Sequence, residues 1–172
     1  MNQIFIILFS ICLLLHLVRS VYSTLKYKNL IDSRKKYIFI LMFITMIALW
    51  LSWFQMCEKD PVKLLLPDLL RYTGLIIFLT GILIFIILLT QLRGLENIDN
   101  LVTSRIYSVL RHPMYVGMIF WLIGYPIFLQ SGLTLGSSTL WILNILYWRR
   151  IEEKELLEKY EKYKEYKMRT IF

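Results

Sequence analysis

Residues 111–153 read RHPMYVGMIFWLIGYPIFLQSGLTLGSSTLWILNILYWRRIEE. Two apolar runs within this stretch, at about 113–130 and 133–148, are separated only by Ser-Gly at 131–132, a dipeptide typical of turns. Pro113 suits the first turn of a helix, because the N–H donor that it lacks would have no partner there. The stretch therefore predicts a tight hairpin of two apolar helices, with charged residues at the end where both helices leave the apolar region.

Three further apolar runs precede the hairpin, at about 3–22, 37–57 and 72–92. Each has about the 20 residues that a helix needs to cross the hydrocarbon core of a bilayer. Hydrophobic residues make up 58% of the 172-residue chain, which is high for a soluble domain. The sequence thus predicts an all-α integral membrane protein with about five transmembrane helices, in which residues 1–172 form a single membrane domain.

The segment 149–168 has a different, amphipathic character. Leu156, Tyr160 and Tyr163 follow the i, i+4, i+7 spacing of one helix face. This pattern predicts a C-terminal amphipathic helix that leaves the membrane and lies near the lipid headgroups on the cytoplasmic side.

Basic residues are concentrated on one side of this predicted topology. Of the 20 lysines and arginines, all except Lys59, Lys63 and Arg71 fall at the end of the first span, in the loops 23–36 and 93–112, or in the tail. Because basic loops stay on the cytoplasmic side, we expect the N-terminus outside and the C-terminus in the cytoplasm. The net charge of +8 then indicates contact with anionic membrane lipids and not with nucleic acid.

Two polar clusters mark the cytoplasmic end of the predicted hairpin. RHPMY (111–115) opens its first helix, and RRIEE (149–153) closes its second. Since both arms of a hairpin end at the same membrane face, we expect the RHPMY cluster to lie near the carboxylates of Glu152 and Glu153. Ionisable groups at a membrane boundary pair with one another or hold a polar ligand. The alternative is an interfacial anchor, with a snorkelling arginine and a tyrosine in the aromatic belt.

The stretch LVTSRIYSVLRHPMYVG (101–117), followed by EEKELLEKYEKYKEY (152–166), resembles the isoprenylcysteine carboxyl methyltransferase family, whose wider group includes phospholipid N-methyltransferases. The resemblance covers about 101–168 and implies a cofactor-binding methyltransferase region there, with S-adenosylmethionine held on the cytoplasmic face. Carried over by position, it implies these site residues: His112, Tyr115, Glu152 and Glu153 for binding the cofactor, and Arg111 and Arg150 as catalytic residues that orient the cofactor or an acidic acceptor.

The chemistry of this donor suits such residues. Carboxylates favour its ammonium and sulfonium groups, and histidine or arginine can bind its carboxylate. The resemblance implies a lipid-like or isoprenylcysteine-type acceptor, with carboxyl O-methylation favoured and phospholipid N-methylation as the alternative. An NADPH-dependent membrane reductase of related fold and a non-enzymatic membrane protein also remain open. No metal is predicted, because Cys12 and Cys57 lack ligand spacing.

Two features within the spans have more than one interpretation. His16 is a functional candidate because histidine is rare inside membranes, or it simply reaches the interface. Gly74 and Gly81 offer small faces for close helix packing, either within one chain or between chains, so the oligomeric state stays open.

Overall fold

A computed structural model describes residues 3–32, 35–91 and 101–172. The described chain is helical apart from its connections, as the sequence predicts, and its helices are α1 (Gln3–Tyr27), α2 (Lys36–Glu58), α3 (Asp68–Gln91), α4 (Pro113–Leu129), α5 (Gly132–Lys159) and α6 (Tyr163–Arg169). A short 3-10 helix, Arg105–Ser108, precedes α4. Part of the predicted loop 93–112 lies outside the described residues.

Among the residues that the structure describes, three helices have the length and composition of membrane spans. α1, α2 and α3 contain 25, 23 and 24 residues and are strongly apolar, whereas α4 is equally apolar but has 17 residues. Their outer faces carry large apolar side chains, for example Ile7, Leu41 and Leu83, each more than half exposed. Such faces are stable against lipid and unfavourable against water. The chain is therefore an integral membrane protein.

α3 and α4 approach so closely that their contact is built from glycine. A Cβ atom added at Gly81 would lie 2.8 Å from the carbonyl oxygen of Gly117, and one added at Gly124 would lie 2.6 Å from that of Gly74. No larger residue fits without moving the backbone. The small-residue face predicted at Gly74 and Gly81 is thus used within the chain.

α1 is joined to α5 by a buried polar network. His16 stacks on Trp141 with ring centroids 4.5 Å apart, and its Nδ1 lies 3.1 Å from Oδ1 of Asn144. Ser20 accepts hydrogen bonds from Nδ2 of Asn144 at 2.9 Å and from Nε1 of Trp148 at 2.8 Å. His16 therefore has a packing role, and this network fixes where the last turns of α1 meet α5.

The predicted helix over 149–168 is wrong in one respect, because the structure divides it. α5 continues without a break from the hairpin to Lys159, and Tyr160 then adopts an extended backbone with φ −128° and ψ 111°. The chain turns, and α6 brings the side chain of Tyr163 back against the hairpin, where Tyr163 is 1% exposed. A straight helix would instead carry Tyr163 about 15 Å beyond Glu153. Burial of the tyrosine thus favours the turn.

Candidate active site at the open end of the hairpin

The open end of the hairpin, where α4 begins and α5 passes Glu152, is covered by the last residues of the chain. Backbone hydrogen bonds join Ile171 N to Val109 O at 2.8 Å and Arg111 N to Ile171 O at 3.1 Å. The guanidinium of Arg111 donates to the carbonyl oxygens of Lys167, at 2.8 Å, and Thr170. These carbonyls lie at the C-terminal end of α6, where a cation is favourable. Arg111 thus holds α6 over the site.

Glu153 is the buried centre of the cluster. Its Oε1 lies 3.3 Å from Nε of Arg111 and 3.5 Å from Nε2 of His112. Its Oε2 accepts a hydrogen bond from Nζ of Lys167 at 2.8 Å. Burial alone would raise the pKa of the Glu153 carboxyl, but the hydrogen bond and charge of Lys167, together with His112, lower it. Glu153 is therefore an anion that ties α4 and α6 to α5.

Glu152 immediately precedes Glu153 on α5 but remains accessible, with 44% of its side chain exposed. Its Oε2 lies 3.6 Å from Nδ1 of His112, and Tyr115 also donates to it. Its partial burial alone would raise the pKa of this carboxyl, yet the bonds from His112 and Tyr115 and the charge of Lys26 lower it. Glu152 is thus an ionised carboxylate that a ligand can reach.

His112 is held rigidly between the two carboxylates. The ring is buried, stacks on Tyr115 with centroids 5.6 Å apart, and places Nε2 3.5 Å from the hydroxyl of Tyr163. It precedes Pro113, which starts α4. Both ring nitrogens therefore face polar partners of defined position.

A polar cavity of about 390 Å³ opens in front of Glu152. Its lining includes Lys26, Tyr107, His112, Glu152, Glu155 and Tyr163. Burial raises the pKa of Tyr107 to about 12 and also raises that of Tyr163, so both phenols are neutral near pH 7. Cations, carboxylates and aromatic rings thus line one space of the size typical for small-molecule sites.

A second, lateral cavity of about 390 Å³ lies on the other side of the same carboxylate. Lys26, Glu152 and Glu155 line both cavities, and Lys26 pairs with Glu155 at 3.1 Å. The remaining lining of the lateral cavity includes Arg19, Phe39, Phe43, Met114, Tyr115 and Trp148. Because the first of these phenylalanines is 37% exposed and the second 54%, the cavity opens sideways between α2 and α4, towards lipid.

The structure brings the RHPMY and RRIEE clusters together, as the hairpin predicts. The residues expected to form the site take these positions: Arg111, His112 and Glu152 line the polar cavity, Glu152 and Tyr115 line the lateral cavity, and Glu153 lies behind them in its ion pairs. Arg150 is exposed on α5 and lines neither cavity. The roles assigned to these residues stay predictions.

Several residues of the site are not predicted by the sequence patterns. Lys26 lies on α1, far from the region 101–168, and reaches the site through the packing of α1 on α5. Tyr107 and Glu155 lie within the stretches 101–117 and 152–166 that carry the resemblance, but the resemblance assigns no role to either residue. Tyr163 is marked only by its amphipathic spacing, which does not reveal that it faces His112.

Comparison with known proteins identifies the family. Residues 69–163 match the family described as phospholipid methyltransferase, and this is more than half of the chain. The chain therefore belongs to the phospholipid methyltransferase family, and the resemblance found at 101–117 and 152–166 is confirmed.

A curated relative carries a more specific name. Over 78 residues the chain is 42% identical to the Protein-S-isoprenylcysteine O-methyltransferase of Xenopus laevis. The alignment takes in 41% of this chain and 25% of that protein, so the chain spans about a quarter of the length of this relative. No solved structure is significantly similar to the chain.

Proposed function

We propose that the protein is an S-adenosylmethionine-dependent membrane methyltransferase that binds its donor in the polar cavity and its lipophilic acceptor in the lateral cavity. One observation carries the proposal. Lys26, Glu152 and Glu155 line both cavities, which therefore adjoin at these residues, and a water-soluble donor and a lipid-like acceptor would meet at this junction.

The residues of the polar cavity fit the donor. Glu152 and Glu155 supply carboxylates for an ammonium and a sulfonium, and Lys159 supplies a cation for the amino-acid carboxylate. The neutral ring of Tyr107, which is only partly buried, offers a stacking surface for a purine. When bound, S-adenosylmethionine would supply an electrophilic methyl group.

The residues of the chain then act by alignment and by exclusion of water, which are the main requirements of an in-line displacement. α6 covers the open end through the bonds of Arg111, and Glu153 keeps His112 in place beside Glu152. A carboxylate acceptor is already nucleophilic and needs no base. An amine acceptor must lose a proton, and His112 would accept it.

Carboxyl O-methylation is the favoured reaction, supported by the relative named as an isoprenylcysteine O-methyltransferase. Phospholipid N-methylation is the second candidate, supported by the description of the family. For the topology we propose five spans, with α4 and α5 completing the crossings begun by α1 to α3. The N-terminus would lie outside and the cavities near the cytoplasmic face, in agreement with the distribution of basic residues.

The first test measures the binding of S-adenosylmethionine, S-adenosylhomocysteine and NADPH to detergent-purified protein by calorimetry. We expect S-adenosylmethionine and S-adenosylhomocysteine to bind with micromolar affinity and NADPH not to bind. Binding of NADPH instead would support a reductase. Binding of none of the three to folded protein would overturn the proposal and favour a non-enzymatic role.

A second measurement separates the two reactions. The purified protein is incubated with donor labelled in its methyl group and with an S-prenylated cysteine or phosphatidylethanolamine. A methyl ester releases volatile label in base, whereas an N-methyl group keeps it. Base-labile label on the prenylated cysteine is the expected result, and stable label on the phospholipid would assign N-methylation.

A further inference from the structure

Arg19 has an unusual setting in the lateral cavity. Its Nη1 donates to Oγ of Ser23 at 2.6 Å, and its Cζ lies 5.3 Å from the ring centre of Tyr22 and 5.4 Å from that of Trp148. An arginine between two aromatic rings is oriented before any ligand arrives. Its fixed positive charge therefore faces the cavity in a defined direction.

Among the described residues, no carboxylate pairs directly with this charge. Two carboxylates line the same cavity: Glu155 pairs with Lys26 at 3.1 Å, and Glu152 lies 3.6 Å from Nδ1 of His112. Within the described ranges 3–32, 35–91 and 101–172, no carboxylate oxygen lies within 4.0 Å of the Arg19 guanidinium. A partly buried cation without an anionic partner favours an anionic ligand.

The apolar part of the lateral cavity places a second requirement on its ligand, which must also carry an apolar group. α2 starts at Lys36, so Phe39 and Phe43 lie roughly 5 to 10 Å along its axis from the basic end. Both phenylalanines and Met114 are exposed where the cavity opens. The lining of the cavity thus combines the charge of Arg19 with the exposed apolar side chains of Phe39, Phe43 and Met114. Such a combination matches an amphiphile and not a fully soluble ligand.

We propose that Arg19 is the specificity-determining residue of the lateral cavity and selects acceptors that carry an anionic headgroup, a carboxylate or a phosphate, next to an apolar tail. The inference rests on the proposed function, since it assumes that the acceptor enters this cavity. It assigns substrate selection to α1, outside the RHPMY and RRIEE clusters. A guanidinium binds such anions through paired N–H donors, which an uncharged headgroup of equal size cannot match.

The test compares two pairs of probes that differ in charge and share a tail. The first pair is N-acetyl-S-farnesylcysteine and its methyl ester, and the second is lysophosphatidic acid and the corresponding monoacylglycerol. Binding of each probe is measured on the full chain in nanodiscs of phosphatidylcholine, for the wild type and for Arg19→Gln, Arg19→Lys and Lys28→Gln. Lys28 is an exposed cation at the end of α1 and lines neither cavity, so it is the matched control.

We expect the wild type to prefer the anion of one pair by more than tenfold, and the pair that shows the preference identifies the headgroup. Arg19→Gln should lower that preference at least tenfold, Arg19→Lys should keep part of it, and Lys28→Gln should leave it unchanged. Equal binding of anion and neutral partner by the wild type would overturn the inference. An unchanged preference in Arg19→Gln would do the same.

Binding of S-adenosylhomocysteine to each variant separates this inference from the proposed function. We expect affinity for this ligand within twofold of the wild type in all variants, which also shows that they are folded. If the wild type does not bind S-adenosylhomocysteine, the proposed donor site is rejected. The preference of the lateral cavity for anions can still be measured in that case, so the two hypotheses fail independently. If Arg19→Gln does not fold, the test relies on Arg19→Lys, which has a positive charge but no guanidinium. Full retention of the preference for anions in Arg19→Lys would show that the guanidinium is not needed to recognise the headgroup.

Discussion

Each end of the α4–α5 hairpin carries a carboxylate, Asp60 at the tip and Glu152 at the open end, and the two carboxylates differ in their surroundings. At the tip, Asp60 is 4% exposed, its Oδ2 accepts from N and Oγ1 of Thr134 at 2.7 and 2.8 Å, and its Oδ1 accepts from N of Val62 at 2.9 Å. At the open end, Glu152 has 44% of its side chain exposed and lines two cavities. One carboxylate is saturated by the protein, and the other retains room for a ligand.

The difference separates a carboxylate whose hydrogen bonds are all made within the protein from one that stays accessible. Asp60 caps the first turn of α5, where a negative charge satisfies otherwise unpaired N–H donors. A ligand could reach it only by breaking those bonds. Glu152 meets His112 at 3.6 Å, a distance that leaves its oxygens available. Burial and hydrogen-bond saturation therefore distinguish the two ends better than charge does.

The largest effect is expected at the open end. Glu152→Gln keeps the size of the side chain and removes the charge that favours a cationic donor. We expect kcat/KM for methyl transfer to fall more than a hundredfold, about 3 kcal/mol of transition-state binding. Donor affinity measured by calorimetry should fall as well.

The unfolding temperature of Glu152→Gln should stay close to that of the wild type, because no saturated buried bond is lost. Lys154→Gln, an exposed neighbour on α5, is the matched control and should leave both quantities unchanged. Wild-type donor affinity in Glu152→Gln would place the donor elsewhere and remove the contrast between the two ends.

The opposite behaviour is expected at the tip. Asp60→Ala leaves the N–H groups of Val62 and Thr134 without their acceptor and should lower the free energy of unfolding by about 2 to 3 kcal/mol. The measurement is chemical unfolding in detergent, and donor affinity of the folded fraction should be unchanged. Asp60→Asn, which keeps one acceptor oxygen, should lose less. A variant that is as stable as the wild type would show that the cap is dispensable.

The hairpin, and the proximity of the RHPMY and RRIEE clusters at its open end, could be predicted from the sequence. A two-residue turn between apolar helices of similar length brings the far ends of the two helices together. The proximity of His112 and Glu152 therefore follows from the sequence pattern alone. The spans of α1 to α3 follow from length and hydropathy. Local pattern was sufficient wherever the contacting residues belong to neighbouring helices.

The remainder depends on contacts between segments distant in sequence. Lys26 reaches the site because His16 and Ser20 bind Asn144, and nothing local to any of them indicates the pairing. The turn at Tyr160 arises from burial of Tyr163 and not from a helix-breaking residue. In the same way, the role of Asp60 becomes visible only when its loop lies over the start of α5.

The smallest expected effect concerns the ion pairs that hold α6 over the open end, and it depends on pH. The pKa of Glu153 is lowered in the folded protein, chiefly by Lys167 against the opposing effect of burial. A lowered pKa means that the stabilisation is complete at neutral pH and is lost as the pH falls below the ordinary range of glutamate, through the lowered value. The wild type should thus lose a few degrees of unfolding temperature between about pH 5 and pH 3 that Glu153→Gln does not lose. Amide exchange in α6 should accelerate over the same interval. An equal pH dependence in the variant would mean that α6 is held by Arg111 and Tyr163 without help from the carboxylate, and that the open end is closed by packing as the tip is.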